Sequence, residues 1–159
     1  MKKYFGLFLL FSFILAIFST QAFSAQALPA PDFKLSDLDN KSFTLSGYKG
    51  KQPVIILFWT TWCPYCRDEL KKINQMNEEL KKDKVEVLAI NAGESLSKVS
   101  KFIKSYNLTY PVLLDQDGSV SRSYGIFGVP TYVFIDNKGD IRLQENYFPE
   151  EEYKKIISN

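Results

Sequence analysis

One stretch constrains this chain more than any other. Val54-Ile55-Ile56-Leu57-Phe58-Trp59, an unbroken apolar run, is followed within a few residues by Cys63-Pro64-Tyr65-Cys66. The run is rich in β-branched and aromatic residues and reads as a buried strand. Past the cysteines, Leu70, Ile73, Met76 and Leu80 recur at three- and four-residue steps, the apolar stripe of a helix. The only two cysteines of the chain therefore stand where a core strand gives way to a helix. Pro64 suits the first turn of that helix, because its φ is already helical and its missing N–H is no loss there. The free amides and dipole of such an end stabilise a thiolate on Cys63. Cys66, one turn on, brings its Cα to about 5.5 Å, inside the range a disulfide spans.

A C-x-x-C pair also occurs as half of a zinc site, which needs two further Cys or His ligands. The chain has no histidine and no third cysteine, so a Cys/His zinc site within one chain is excluded. An inert structural disulfide stays open, although closing so short a loop removes little unfolded-state entropy. The helix-start setting favours redox chemistry.

The first residues have a different character. Lys2 and Lys3 precede Tyr4 to Phe18, apolar apart from Gly6 and Ser12, and no further charge appears before Asp32. Small residues follow, with cleavage patterns ending at Ala22, Ser24 and Ala27. Residues 1–25 read as a secretory signal peptide, or as an uncleaved N-terminal membrane anchor, with 26–31 as a linker and 32–157 as the domain. Either reading places the domain outside the cytoplasm, in the periplasm, where disulfide chemistry is at home. Without residues 1–25 the chain carries 18 basic and 18 acidic side chains. That balance points to no nucleic-acid partner, and to membrane contact only through the N-terminal segment.

Along the domain, Phe33-Lys34-Leu35 and Ser42-Phe43-Thr44-Leu45 alternate around Asp39-Asn40-Lys41, predicting a β-hairpin. The helix after Cys63 extends to about Lys82, and Val85 to Asn91 is a second strand, implying a parallel pair with a crossover. Ser95 is a plausible cap for a helix carrying Leu96, Val99, Phe102, Ile103 and Tyr106. Pro111 to Leu114 is a short strand, and Val120 to Tyr124 a brief helix. Thr131 to Asp136 and Asp140 to Gln144 form a hairpin turned by Asn137-Lys138-Gly139. A last helix follows Pro149. This order implies an α/β fold, a mixed central sheet flanked by helices. Read from its neighbours alone, Pro130 is a trans proline opening an edge strand.

Several motifs together carry a resemblance. They are Ala30-Pro31-Asp32-Phe33, Leu45-Ser46-Gly47-Tyr48-Lys49-Gly50-Lys51 and Phe58 to Arg67 around the cysteines. Gly125-Ile126-Phe127-Gly128-Val129-Pro130-Thr131 and Phe134-Ile135-Asp136-Asn137-Lys138-Gly139 complete them. The chain resembles the TlpA/ResA-like family of extracytoplasmic thioredoxin-fold thiol-disulfide oxidoreductases, within the AhpC/TSA-redoxin superfamily, from Ala30 to about Ile157. The resemblance implies a thioredoxin-like fold with an N-terminal β-hairpin and a helix-strand insertion between Asn91 and Asp115. It implies that Cys63 is the exposed nucleophile, Cys66 the buried resolving thiol, and the Cys63–Cys66 disulfide the redox group, with no other cofactor and no metal. Pro130 would be a cis-proline facing the cysteines. Trp62, Pro64, Tyr65, Val129 and Pro130 would line the substrate site, with Trp62 as a shield. Glu69 matches a family acid that exchanges a proton with the dithiol; a solvated acid paired with Lys72 is the plainer reading. Departures are Leu57, where plain thioredoxin carries a buried aspartate, Leu70-Lys71 in place of a proline, and no glycine near Asn146 to Phe148.

The expected activity is disulfide reduction in envelope proteins, with apocytochrome c among the candidate substrates. The partners are protein disulfides or dithiols and a membrane thiol electron donor. A peroxiredoxin-like thiol peroxidase is a rival, since Thr60-Thr61-Trp62-Cys63 has a Thr-x-x-Cys spacing, although Ile56 stands where peroxiredoxins carry a proline. A non-enzymatic thioredoxin-fold binding module is another. With no histidine and with Glu69 adding negative charge, the pair is expected to act as a reductant.

Overall fold

The apolar run Val54–Trp59 becomes strand β4, every residue of it buried, in the interior of one mixed sheet. The computed structural model describes residues 28–157, and the signal or anchor expected over 1–25 lies outside them. The strands are β1 (Leu28–Pro29), β2 (Lys34–Asp37), β3 (Ser42–Thr44), β4, β5 (Glu86–Ala92), β6 (Val112–Asp115), β7 (Thr131–Ile135) and β8 (Asp140–Glu145). The helices are α1 (Pro64–Lys82), α2 (Leu96–Ile103), α3 (Ser119–Ser123) and α4 (Tyr153–Ile157), with a single 3₁₀ turn at Leu45–Gly47. Strand order across the sheet is β1-β8-β7-β4-β5-β6-β2-β3. β4, β5 and β6 run parallel, while β7 is antiparallel to β4. This is the thioredoxin-like layout, with the α2–β6 segment as the insertion. Among the described residues no helix is long and apolar enough to cross a membrane.

The alternation of β4 divides the core in two. Ile55, Leu57 and Trp59 meet Cys66, Leu70 and Ile73 of α1, Val99 of α2 and Tyr153 of α4 on one face. Val54, Ile56 and Phe58 meet Phe33, Leu45, Val120 and Tyr124 on the other. Burying a side chain of this size contributes about 1.5–3 kcal/mol, so a strand buried on both faces anchors both layers.

Residues 26–31 do not all behave as a linker. Leu28 and Pro29 pair with Ile141 and Asp140 on the outer edge of β8. A proline is tolerated there because an edge strand needs only one side of its backbone bonded. Ser95 sits at the start of α2 without a side-chain cap bond, and Tyr106 lies beyond the helix, its ring 4.9 Å from that of Phe102. At the far end of α1, the Lys84 N–H donates to the Lys81 carbonyl and the Val85 N–H to the Leu80 carbonyl. Lys84 takes φ 58° to close that turn.

A candidate redox site at one end of the sheet

In the sheet, Trp59 is level with Asn91 and Phe58 with Thr131, so three loops emerge together at one end: residues 60–63, 93–95 and 128–130. Cys63 and Cys66 are disulfide-bonded there, with Cα atoms 5.3 Å apart. Cys63 is the N-cap of α1 in an extended conformation, and Pro64 is the first helical residue. The Cys66 N–H donates to the Cys63 sulfur at 3.1 Å, the bond a Ser or Asp oxygen makes at an ordinary N-cap. The same sulfur lies 3.5 Å from the Val129 carbonyl oxygen. The Val129–Pro130 bond is cis, which corrects the trans edge-strand reading of Pro130: it enters β7, an interior strand between β4 and β8.

The outer cysteine is less open than expected. Cys63 is 3% exposed and Cys66 0%, because the sulfur of Cys63 is turned in against the helix amide and the Val129 carbonyl. What stands in solvent around it is aromatic: Trp62 is 66% exposed, Tyr65 75% and Phe127, two residues before Val129, fully so. Trp62 therefore rims the site instead of packing over it as a shield. Pro64 is exposed, Val129 half-buried and Pro130 buried.

Glu69 is half-buried one turn past Cys66, and its Oε2 accepts a 2.7 Å hydrogen bond from the Tyr132 hydroxyl. Burial first, then the bond to Glu69, pushes the Tyr132 phenol far above its ordinary value, so it stays a donor. Tyr132 is level with Leu57 on β4, the position of the absent aspartate. Lys72, the expected partner of Glu69, forms its ion pair with Glu150 at 3.0 Å instead. Arg67 donates to the Thr61 carbonyl at 3.2 Å and its guanidinium lies 5.5 Å from the Phe102 ring centre. The Thr60 hydroxyl of the Thr-x-x-Cys spacing is buried without a hydrogen-bond partner among the described residues, so it does not serve the Cys63 sulfur.

Two residues of the site escaped notice in the sequence. Glu94, nearly buried in the β5–α2 loop, accepts from the Thr61 N–H and hydroxyl, both at 2.7 Å, and from the Asn91 amide at 2.8 Å. Lys98 pairs with it at 2.6 Å. Burial pushes the Glu94 carboxyl up, but the bonds from Lys98, Asn91 and Thr61 together hold it below the usual glutamate value. Asn146, just past β8, donates from Nδ2 to the Pro130 carbonyl at 2.8 Å and lies 3.1 Å from the Thr131 hydroxyl. The signals available were an acid between a strand and a helix cap, and the absence of a glycine over Asn146 to Phe148.

The AhpC/TSA family profile matches residues 27–144, well over half of the chain. A thiol-disulfide oxidoreductase ResA from Geobacillus thermodenitrificans is 39% identical over 113 residues, covering 71% of this chain and 64% of that protein. Its counterpart from Bacillus thuringiensis is 35% identical over 133 residues, covering 81% and 76%. Among solved structures, a thiol:disulfide interchange protein of the thioredoxin family from Chlorobium tepidum superposes with a TM-score of 0.72 at 27% identity. That superposition covers 85% of this chain and 97% of the other.

Proposed function

The chain belongs to the AhpC/TSA family and, within it, to the ResA-type thiol-disulfide oxidoreductases; from that premise we propose that it is a disulfide reductase of envelope proteins, acting outside the cytoplasm. The observation that carries this reading is the Cys63 sulfur itself. It caps α1, takes the Cys66 N–H and abuts the carbonyl beside cis-Pro130. Reduced, that sulfur is a thiolate stabilised by the helix end and aimed at the substrate edge. It attacks one sulfur of a substrate disulfide, forming an S–S bond to Cys63 and releasing the other sulfur as a thiolate, which takes a proton. Cys66, deprotonated, then attacks Cys63, re-forming the internal disulfide and releasing the second substrate thiol. Two electrons pass to the substrate, and a membrane thiol carrier returns them. Glu69, anchored by Tyr132 one turn beyond Cys66, is the acid we assign to the Cys66 proton. Apocytochrome c, whose paired haem-binding cysteines react as thiols, is the substrate class placed first.

Direction follows from what stabilises the thiolate. A strong oxidant owes its potential to a heavily stabilised reduced form. Here the helix end acts without a histidine, and Arg67 is engaged by the Thr61 carbonyl. The test has two parts. Cys66→Ala is expected to accumulate mixed disulfides through Cys63, and Cys63→Ala few; equal trapping would show that the roles are not divided. A glutathione titration should place the couple well below the oxidant pattern. A potential near about −120 mV with a Cys63 pKa near about 3.5 would reverse the direction.

A further inference from the structure

The backbone beside Cys63 is held in place by side chains that the exchange reaction does not itself use. The Thr131 hydroxyl donates to the Gly128 carbonyl at 2.8 Å, and the Asn146 amide donates to the Pro130 carbonyl at 2.8 Å. The second N–H of the same amide faces the Thr131 oxygen at 3.1 Å. A primary amide nitrogen carries two donors and no acceptor, so the polarity of this relay is fixed. Asn146 donates to Thr131, and the threonine proton is thereby directed to Gly128. Both carbonyls flanking Val129 are thus occupied. Val129 keeps its carbonyl turned to the Cys63 sulfur, and its N–H makes no hydrogen bond among the described residues.

We propose that Asn146 is a positioning residue for substrate: through Pro130 and Thr131 it fixes the peptide unit of Val129 as an open edge, on which an extended segment pairs its backbone while its disulfide meets Cys63. This rests on the thiol-disulfide exchange proposed above and adds the element that sets how the substrate is held. The side chain is specific to the task. Glycine offers no donor, and aspartate would set a carboxylate against the Pro130 and Thr131 oxygens. Asn146 is itself exposed, so water can replace part of what it supplies and the effect is graded.

The experiment uses the pre-reduced full chain and two disulfides with one leaving group. One is a peptide with its single cysteine linked to thionitrobenzoate and flanked by several residues on each side. The other is 5,5′-dithiobis(2-nitrobenzoate), which has no peptide backbone. In Asn146→Ala the half-saturating peptide concentration is expected to rise about fivefold with the maximal rate within about twofold, as loss of one or two modest hydrogen bonds implies. The rate with the small disulfide stays unchanged, and Asn146→Asp raises the peptide value further. An unchanged half-saturation in Asn146→Ala overturns the brace, and so does equal slowing with both disulfides, which would place the effect on the dithiol. Should the Asn146 variants fail to fold, Thr131→Val is expected to reproduce the peptide effect and Thr131→Ser, which keeps the hydroxyl, to behave as wild type; a wild-type response from Thr131→Val overturns the relay. A wild-type protein with no preference for the peptide removes the docking edge itself, whereas a preference that survives undiminished in Asn146→Ala removes only the brace.

Discussion

Replacing Glu94 by alanine strips the acceptor from the backbone that leads into Cys63. In the native protein Oε2 takes the Thr61 N–H and the Asn91 amide, and Oε1 takes the Thr61 hydroxyl and Lys98. Thr61 and Asn91 are both buried, so bulk water does not readily replace the acceptor they lose. Leaving the Thr61 N–H and the Asn91 amide unsatisfied costs about 1–3 kcal/mol each, while exposed Lys98 adds at most about 1 kcal/mol. The expected loss is about 3–5 kcal/mol, a large part of the roughly 5–15 kcal/mol that holds a domain folded. Glutamine keeps the shape and one acceptor oxygen and should lose about 1–2 kcal/mol. Urea unfolding at neutral pH with the disulfide intact measures both. The sign with pH follows from a carboxyl held below its ordinary 4.5 in the fold. Its contribution is complete above the unfolded value and fades as pH falls through the folded one. The gap between wild type and Glu94→Gln should therefore be flat near neutrality and narrow only below about pH 4.5. An alanine variant that loses less than about 1 kcal/mol, or a gap that does not narrow in acid, would refute the clamp.

Two further substitutions test the frame around the site. Lys84→Gly should stabilise the domain by about 0.5–1 kcal/mol in the same unfolding assay, since Lys84 holds φ 58° at the end of α1 where glycine meets no penalty; a loss of stability would show that the lysine side chain matters there. Asp115→Ala should cost about 2–4 kcal/mol, because the buried carboxylate accepts from the Val120 N–H, the Ser121 N–H and the Ser121 hydroxyl at the start of α3. A near-neutral result would mean that water or a neighbour replaces it.

The strand-to-helix junction at Cys63 is visible in the sequence because its signals are local: an apolar run, a proline and a three- and four-residue stripe within thirty residues. The hairpin at Asp39-Asn40-Lys41 and the helix end at Asp83-Lys84 are visible for the same reason. Pro130 is different. Its neighbours alone suggest an edge strand, and only the pairing of β7 between β4 and β8 makes it interior; the resemblance supplied the cis bond that periodicity could not. Glu94 and Thr61 are 33 residues apart, and no local pattern links an acid in one loop to an amide in another. Asn146 falls in a stretch that stands out only for lacking a glycine, and nothing local marks it as a donor until β8 lays it beside Pro130. Leu28 and Pro29 read as linker because a two-residue strand has no periodicity to detect.

The sulfur that caps α1 has a bearing on how easily the protein cycles. A thiolate, a thiol, a mixed disulfide and the internal disulfide all keep lone pairs on Cys63, so each can receive the Cys66 N–H. The first turn of the helix thus has a cap in every oxidation state. Cys66 stays mounted one turn away on a 19-residue helix, with no need to melt and rebuild that end between half-reactions. Electron transfer through such a joint asks for little reorganisation at that end of the helix.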